Sequence, residues 1–140
     1  MTPLEPVHAE LIAGMHYICF KEPWNAKAMR ELLAMPGAYG WLAAEVEPQG
    51  FVLARAAADE AEILTLLVLP PFRRHGLAER LLSAAAEGAR SRGAAKLFLE
   101  VAANNAAALG LYTKGGFSQT GKRPRYYGNS IDALLMALDL

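Results

Sequence analysis

Leu64-Thr65-Leu66-Leu67-Val68-Leu69-Pro70-Pro71-Phe72-Arg73-Arg74-His75-Gly76-Leu77-Ala78-Glu79-Arg80-Leu81-Leu82 joins a short apolar, β-prone run to an amphipathic helix through a basic turn that contains glycine. Pro70 and Pro71 stop the strand, and from Leu77 onward Leu77, Ala78, Leu81, Leu82, Ala85 and Ala89 fall on one helical face. The first backbone N–H groups of a helix have no intrahelical partner, and the macrodipole adds about half a positive charge there. Gly76 and the small Ala78 let a pyrophosphate approach those donors, while Arg73 and Arg74 can add charge-assisted contacts. Positive side chains at a helix start are otherwise unfavourable, so two arginines there point to an anion. The turn from Arg73 to Glu79 therefore reads as a phosphate site, with His75 lending its backbone amide rather than its ring.

Outward from this junction, the pattern predicts an antiparallel meander before it and a βα alternation after it. Val7, Leu11, Ile12, Met15 and Cys19 recur at helical spacing, and Asn25 can cap a second helix that runs to about Met35 and closes at Pro36-Gly37. These two helices are expected to frame one wall of a cleft. Trp41 to Val46 and Phe51 to Ala56 are strands joined at Pro48-Gln49-Gly50, and Asp59-Glu60 reverses the chain into Ile63 to Leu69. A helix from about Arg74 to Ser91 ends at Gly93, followed by a strand from Lys96 to Val101, a helix from Asn105 to Lys114, and strands near Phe117 and Leu134. The βαβα order predicts parallel pairing in the second half. The reading is one α/β domain over 1–140.

At 140 residues and 54% hydrophobic, the chain can enclose a single core without help from disulfides or metals. Its formal net charge of zero gives no global field to draw in nucleic acid or an anionic membrane, so neither is expected as a partner. The sole cysteine, Cys19, has no partner for an internal disulfide and points to a reducing, cytoplasmic setting. Glu5, His8 and Glu10 stand where a signal peptide would have a basic start and an apolar run, and no stretch is apolar enough for a membrane span. P-loop, Cys-x-x-Cys and Gly-x-Ser-x-Gly patterns are missing, and His8, His16 and His75 lack metal-ligand spacing, so no metal is expected.

The spacing Arg73-x-x-Gly76-x-Ala78 resembles the acetyl-CoA signature of the GNAT superfamily of N-acetyltransferases. Glu100, then Asn105, then Tyr112, then Gly116-Phe117 resemble the second half of the same fold. Arg125-Tyr126-Tyr127, Asp132-Ala133-Leu134-Leu135-Met136 and Pro23-Trp24 resemble more narrowly the RimI-like branch, which acetylates the N-terminal alanine of a ribosomal protein. The resemblance covers roughly residues 15 to 138. It implies a GNAT-like mixed sheet of six to seven strands with helices on both faces, acetyl-CoA as co-substrate, a protein N-terminus as acceptor, and a monomer or weak dimer.

Acetyl transfer needs a neutral amine, a site for the developing oxyanion and a proton for the leaving thiolate. Glu100, at a strand end and partly desolvated beside Phe98, can take the ammonium proton directly or through water. Tyr112, with a phenol normally near 10, can return a proton to the thiolate. An α-amine near 8 needs a weaker base than a lysine near 10.4, which favours an N-terminus as acceptor. The resemblance implies that backbone N–H groups on the fourth strand, where a bulge turns one amide toward the thioester, hold the oxyanion; these map to Leu66, Leu67 and Val68. It also implies that Asn105, besides capping its helix, bonds the pantetheine arm. Tyr126 and Tyr127 match a pair in the loop before the last strand that bonds peptide backbone, and Pro23 and Trp24 match the loop opposite. Lys122, Arg123 and Arg125 form a basic cluster beside that slot, with no assigned role.

The chain departs from the pattern at Ala78, which replaces a commoner glycine, at Gly115-Gly116, and in the short Gly128-Asn129-Ser130-Ile131 segment, which helps define the acceptor. Two other readings stay open at this level. One is an acetyltransferase acting on a small amine, a polyamine or lysine; the other is a non-catalytic acyl-CoA-binding module.

Overall fold

The computed structural model describes residues 1–127 and 130–140, the side chain of Tyr127 excepted. The elements in chain order are β1 (Thr2–Pro3), α1 (Ala9–Cys19), α2 (Ala26–Ala34), β2 (Ala38–Ala44), β3 (Pro48–Ala57), β4 (Glu60–Val68), α3 (Leu77–Ser91), β5 (Lys96–Ala102), α4 (Ala106–Lys114), β6 (Ser118–Tyr127) and β7 (Ile131–Asp139). They form one seven-stranded sheet in the order β1-β2-β3-β4-β5-β7-β6. The predicted meander is β2-β3-β4, antiparallel throughout. The expectation of parallel pairing in the second half holds only for β4 and β5, because β7 enters between β5 and β6 and runs antiparallel to both.

Two cores lie on the two faces of the sheet. On one, Leu77, Leu81, Ala85 and Ala89 of α3 pack with Tyr112 of α4 against Val52, Ile63, Leu97, Leu99 and Met136. Gly88 lets α3 come close to the sheet, since a Cβ there would stand 2.5 Å from the Tyr39 ring. On the other, Ala9, Ile12 and Met15 of α1 and Met29 of α2 cover Leu42, Phe51, Leu53 and Leu67. The apolar stripe of α1 therefore runs through Ala9, Ile12, Met15 and His16, whereas Val7 and Leu11, expected on it, are exposed. Among the described residues this second core takes nothing from β5, β6 or β7. That half of the face has no helix over it, and it forms the floor of an open groove.

β4 and β5 share only three register pairs, Glu60–Lys96, Ala61–Leu97 and Glu62–Phe98, and then part. Six residues of β4 and four of β5 continue beyond the last pair. The two strands leave a wedge-shaped gap that opens toward the turn before α3.

Candidate active site

The turn entering α3 is more sharply wound than the sequence suggests. The helix begins at Leu77, three residues after the expected Arg74, because Arg74 (φ 67°) and Gly76 (φ 79°) both adopt left-handed conformations. A Cβ at Gly76 would meet nothing within 4 Å, so the space over the turn is open. The first helical bond is closed by Arg80 N–H on the Gly76 carbonyl at 3.1 Å, so the N–H groups of Leu77, Ala78 and Glu79 at the helix entrance precede the helix's own ladder. This row of donors fits a pyrophosphate. Arg73 does not join it. Its Nε donates to the Val68 carbonyl at 2.8 Å and Nη2 lies 3.7 Å from Cys19 Sγ, so the side chain folds back onto β4 and α1. Arg74, His75 and Glu79 are exposed along the turn, Ala78 is half-buried, and Glu79 reaches Lys114 of α4 at 3.6 Å.

The bulge lies at Leu64, upstream of the expected Leu66–Val68 stretch: Leu53 pairs with Thr65 and Ala54 with Ile63, leaving Leu64 over. Beyond it the ladder is regular, and its phase is set by Leu69 N–H donating to the Gln49 carbonyl at 2.8 Å. Gly50–Val68 and Val52–Leu66 are then the pairs whose backbone groups point away from each other, while those of Phe51–Leu67 point toward each other. Leu66 and Val68 direct their N–H groups into the gap; Leu67 directs its own to β3. An apolar run such as Leu64-Thr65-Leu66-Leu67 carries no signal for where a ladder slips, so the sequence could not place the bulge.

Glu100 and Tyr112 lie on opposite faces of β5. Leu99 and Val101 point into the α3–α4 core, which includes Tyr112, so alternation sends Phe98 and Glu100 to the open groove. The Tyr112 ring is buried and packs against Phe117 with centroids 5.8 Å apart, and burial pushes its phenol up to about 12. Among the described residues its hydroxyl makes no hydrogen bond to backbone, unlike that of the buried Tyr39, which donates to the Ala85 carbonyl at 2.7 Å. The Glu100 side chain is 25% exposed, and Oε1 stands 3.1 Å from Arg123 Nη2. Asn105 caps α4, its Oδ1 accepting from Ala108 N–H at 3.1 Å.

Sequence reasoning missed two residues, Glu62 on this groove and His16 on the buried side of α1. Glu62 stands on the same face as Glu100; partial burial and then the like charge of Glu100 hold its carboxyl above the usual range, against the pull of Arg123 and Arg55. The second is His16, which is 2% exposed. Its signal was there to read, since His16 follows Ile12 by four residues on α1.

The acceptor candidates come from two segments, the α1–α2 connection and the end of β6. Trp24 is at the boundary of exposure, with Pro23 beside it in the α1–α2 connection. Tyr126 and Tyr127 belong to the end of β6 rather than to a loop, because Tyr127 pairs with Ile131. Ahead of that pair, Arg125 (φ 54°) and Pro124 swell the strand, and Asp132 Oδ1 accepts from Arg125 N–H at 2.9 Å. The Arg123 guanidinium lies 5.3 Å from the centroid of the exposed Tyr126 ring. The side chain of Tyr127 lies outside the described residues, as do Gly128 and Asn129.

A phosphate-ready helix entrance beside two parted parallel strands is an arrangement shared with known proteins. The sequence model of the Acetyltransferase (GNAT) family matches residues 10–117. The chain belongs to the GNAT acetyltransferase family. It is 36% identical over 102 residues to a [ribosomal protein bS18]-alanine N-acetyltransferase of Salmonella typhimurium, covering 71% of this chain and 69% of that one. A protein of the same description from Escherichia coli K12 is 38% identical over 93 residues, 64% and 63% of the two chains. The crystal structure of the ribosomal-protein-S18-alanine N-acetyltransferase from Escherichia coli superposes with a TM-score of 0.91 at 28% identity, covering 99% of this chain and 91% of that one. As a GNAT enzyme this protein is an acetyl-CoA-dependent N-acetyltransferase with a single mixed α/β fold, as its motifs implied. Among the described residues no helix is long and apolar enough to cross a membrane.

Proposed function

We propose that this GNAT enzyme acetylates the N-terminal α-amine of a protein, with an alanine-initiated ribosomal protein such as bS18 as the first candidate. The observation that carries the reading is the division of labour across β5. Glu100 lies on the open groove and Tyr112 on the opposite, helix-covered side, with the gap between β4 and β5 joining the two. Acetyl-CoA supplies an electrophilic thioester. The amides of 77–79 at the entrance of α3, with Arg74, hold its phosphates, Asn105 and the edge of β4 hold its arm, and the Leu66 and Val68 N–H groups face the oxygen on which charge develops.

On the groove side the acceptor amine enters between the Pro23-Trp24 connection and the β6–β7 edge, where the exposed Tyr126 lines its backbone. Glu100 receives the proton that the amine gives up as the C–N bond forms. As the C–S bond breaks, Tyr112 gives its proton to the thiolate from the opposite side, a donation made harder by a phenol near 12 than by a free one near 10. Glu62 adds a second carboxylate beside Glu100 that would hold an ammonium group ahead of its deprotonation.

The deciding measurement is the position of the acetyl group. A peptide with both a free N-terminal alanine and an internal lysine is expected to carry it on the α-amine, located by mass spectrometry. Modification of the lysine would overturn the reading. Spermidine belongs in the same assay, since two carboxylates lie on the groove floor; Arg123 and Arg55 offset them, so turnover of spermidine is expected to fall well below that of the peptide.

A further inference from the structure

We infer that His16 is a positioning residue for the acceptor, the single ring on which the Pro23-Trp24 wall is hung. This rests on the reading of that connection as one side of the acceptor slot. Apart from the tyrosines, His16 and Thr65 are the only buried polar side chains among the described residues, and they touch each other, His16 Nε2 lying 3.3 Å from Thr65 Oγ1. On its other nitrogen, His16 Nδ1 accepts from the backbone N–H of Trp24 at 3.0 Å. The imidazole is layered between two rings, Phe20 at 4.1 Å and Trp24 at 4.9 Å between centroids, with planes 13° and 15° from parallel.

Each contact has a consequence for the wall. Residues 20–25 have no regular secondary structure, and among the described residues the Trp24 N–H bond is the only hydrogen bond made by residues 21–24. Because Nδ1 accepts, the neutral ring carries its proton on Nε2 and donates it to the Thr65 hydroxyl. Burial holds His16 below its usual range, which keeps that neutral tautomer in place. Among the described residues the contacts to the ring come from Phe20, Trp24 and Thr65, none of them charged, with Cys19 and the Arg73 guanidinium near the end of the same helix. Thr65 directly precedes Leu66, whose N–H enters the gap. One ring thus fixes both the height of the acceptor wall and its distance from the strand that faces the thioester.

Steady-state kinetics with acetyl-CoA and an alanine-initiated peptide test this on the full chain. His16→Leu removes both nitrogens at similar bulk and should raise KM for the peptide about tenfold or more, with KM for acetyl-CoA within about twofold. His16→Asn can present its Oδ1 near the position of Nδ1 and should recover most of the loss. His16→Gln, with its oxygen nearer the position of Nε2, should not. Thr65→Val, isosteric and without the hydroxyl, should raise the peptide KM by a smaller factor. Should His16→Leu not fold, the contrast between Asn and Gln decides. Equal effects of Asn and Gln, or equal rises in the two KM values, would overturn the proposal. Trp24→Ala separates it from the reading beneath: if that variant leaves the peptide KM unchanged, the connection is not the acceptor wall. If Trp24→Ala raises the peptide KM and the His16 series does not, the role of His16 alone fails.

Discussion

At Glu100, the ion pair with Arg123 and the nearby Glu62 carboxyl make the proposed proton acceptor part of a four-group cluster that includes Arg55. Glu100→Gln keeps the shape and removes the charge. It is expected to leave acetyl-CoA affinity intact and to lower turnover about 10²-fold, less at high pH where more of the amine is already neutral. An unchanged rate with an unchanged pH profile would transfer the role to another group, Glu62 first. Tyr112 gives a second test, with the opposite sign. The phenol must be protonated to donate, and burial pushes it up to about 12, so that form persists through the whole assay range. Tyr112→Phe should lower kcat, while the parent shows no descending limb attributable to this residue below about pH 11. A limb near pH 10 that disappears in Tyr112→Phe would mean that the acceptor- and cofactor-bound enzyme no longer desolvates the hydroxyl in this way.

Among the elements, the turn into α3 offers the sharpest test. Gly76→Val places a branched side chain at φ 79°, in space that is empty of protein. Strain alone costs about 1–2 kcal/mol, a modest lowering of Tm, because no neighbour is displaced. Acetyl-CoA affinity should fall much further, by tenfold or more, since the methyl groups stand over the amides of 77–79; titration calorimetry with acetyl-CoA reads this separately from Tm. α3 could be read in advance from the spacing of Leu77, Leu81, Leu82, Ala85 and Ala89, and α2 from the Asn25 cap, whose Oδ1 does accept from Ala28 N–H at 2.9 Å. β6 could not. Its sequence Ser-Gln-Thr-Gly-Lys-Arg-Pro-Arg-Tyr-Tyr has no apolar alternation, because as an edge strand it is held by the ladder to β7 rather than by buried side chains. For the same reason the tyrosine pair read as a loop. Arg74 in the left-handed region and the folded-back Arg73 were equally hidden, since a residue's φ and the direction of a long side chain depend on neighbours distant in sequence.

For the molecule as a whole, His16 links acid stability to the groove. Its pKa is lowered in the folded state, so below the unfolded value of about 6.5 the unfolded chain takes up a proton that the folded one resists. The contribution is complete above about pH 6.5 and is lost progressively as pH falls through the interval down to the folded value. Tm of the parent should therefore drop more steeply below pH 6.5 than that of His16→Asn, followed by calorimetry across pH 7.5 to about 5. Parallel slopes would show that other groups set the acid limit.

The brief pairing of β4 with β5 also makes the sheet two leaves sharing a short spine, Glu60 to Glu62 against Lys96 to Phe98. The backbone beyond that spine is a ladder with one rail missing, and any extended molecule with alternating amide groups can serve as the rail. Amide hydrogen exchange would register this directly. Leu66 and Val68, unprotected on their own, should slow together when acetyl-CoA is added, while Leu67, already bonded to β3, changes little. On the proposed reading the fold is finished by its own substrate, and a fresh molecule of acetyl-CoA would rebuild the missing edge at every turnover.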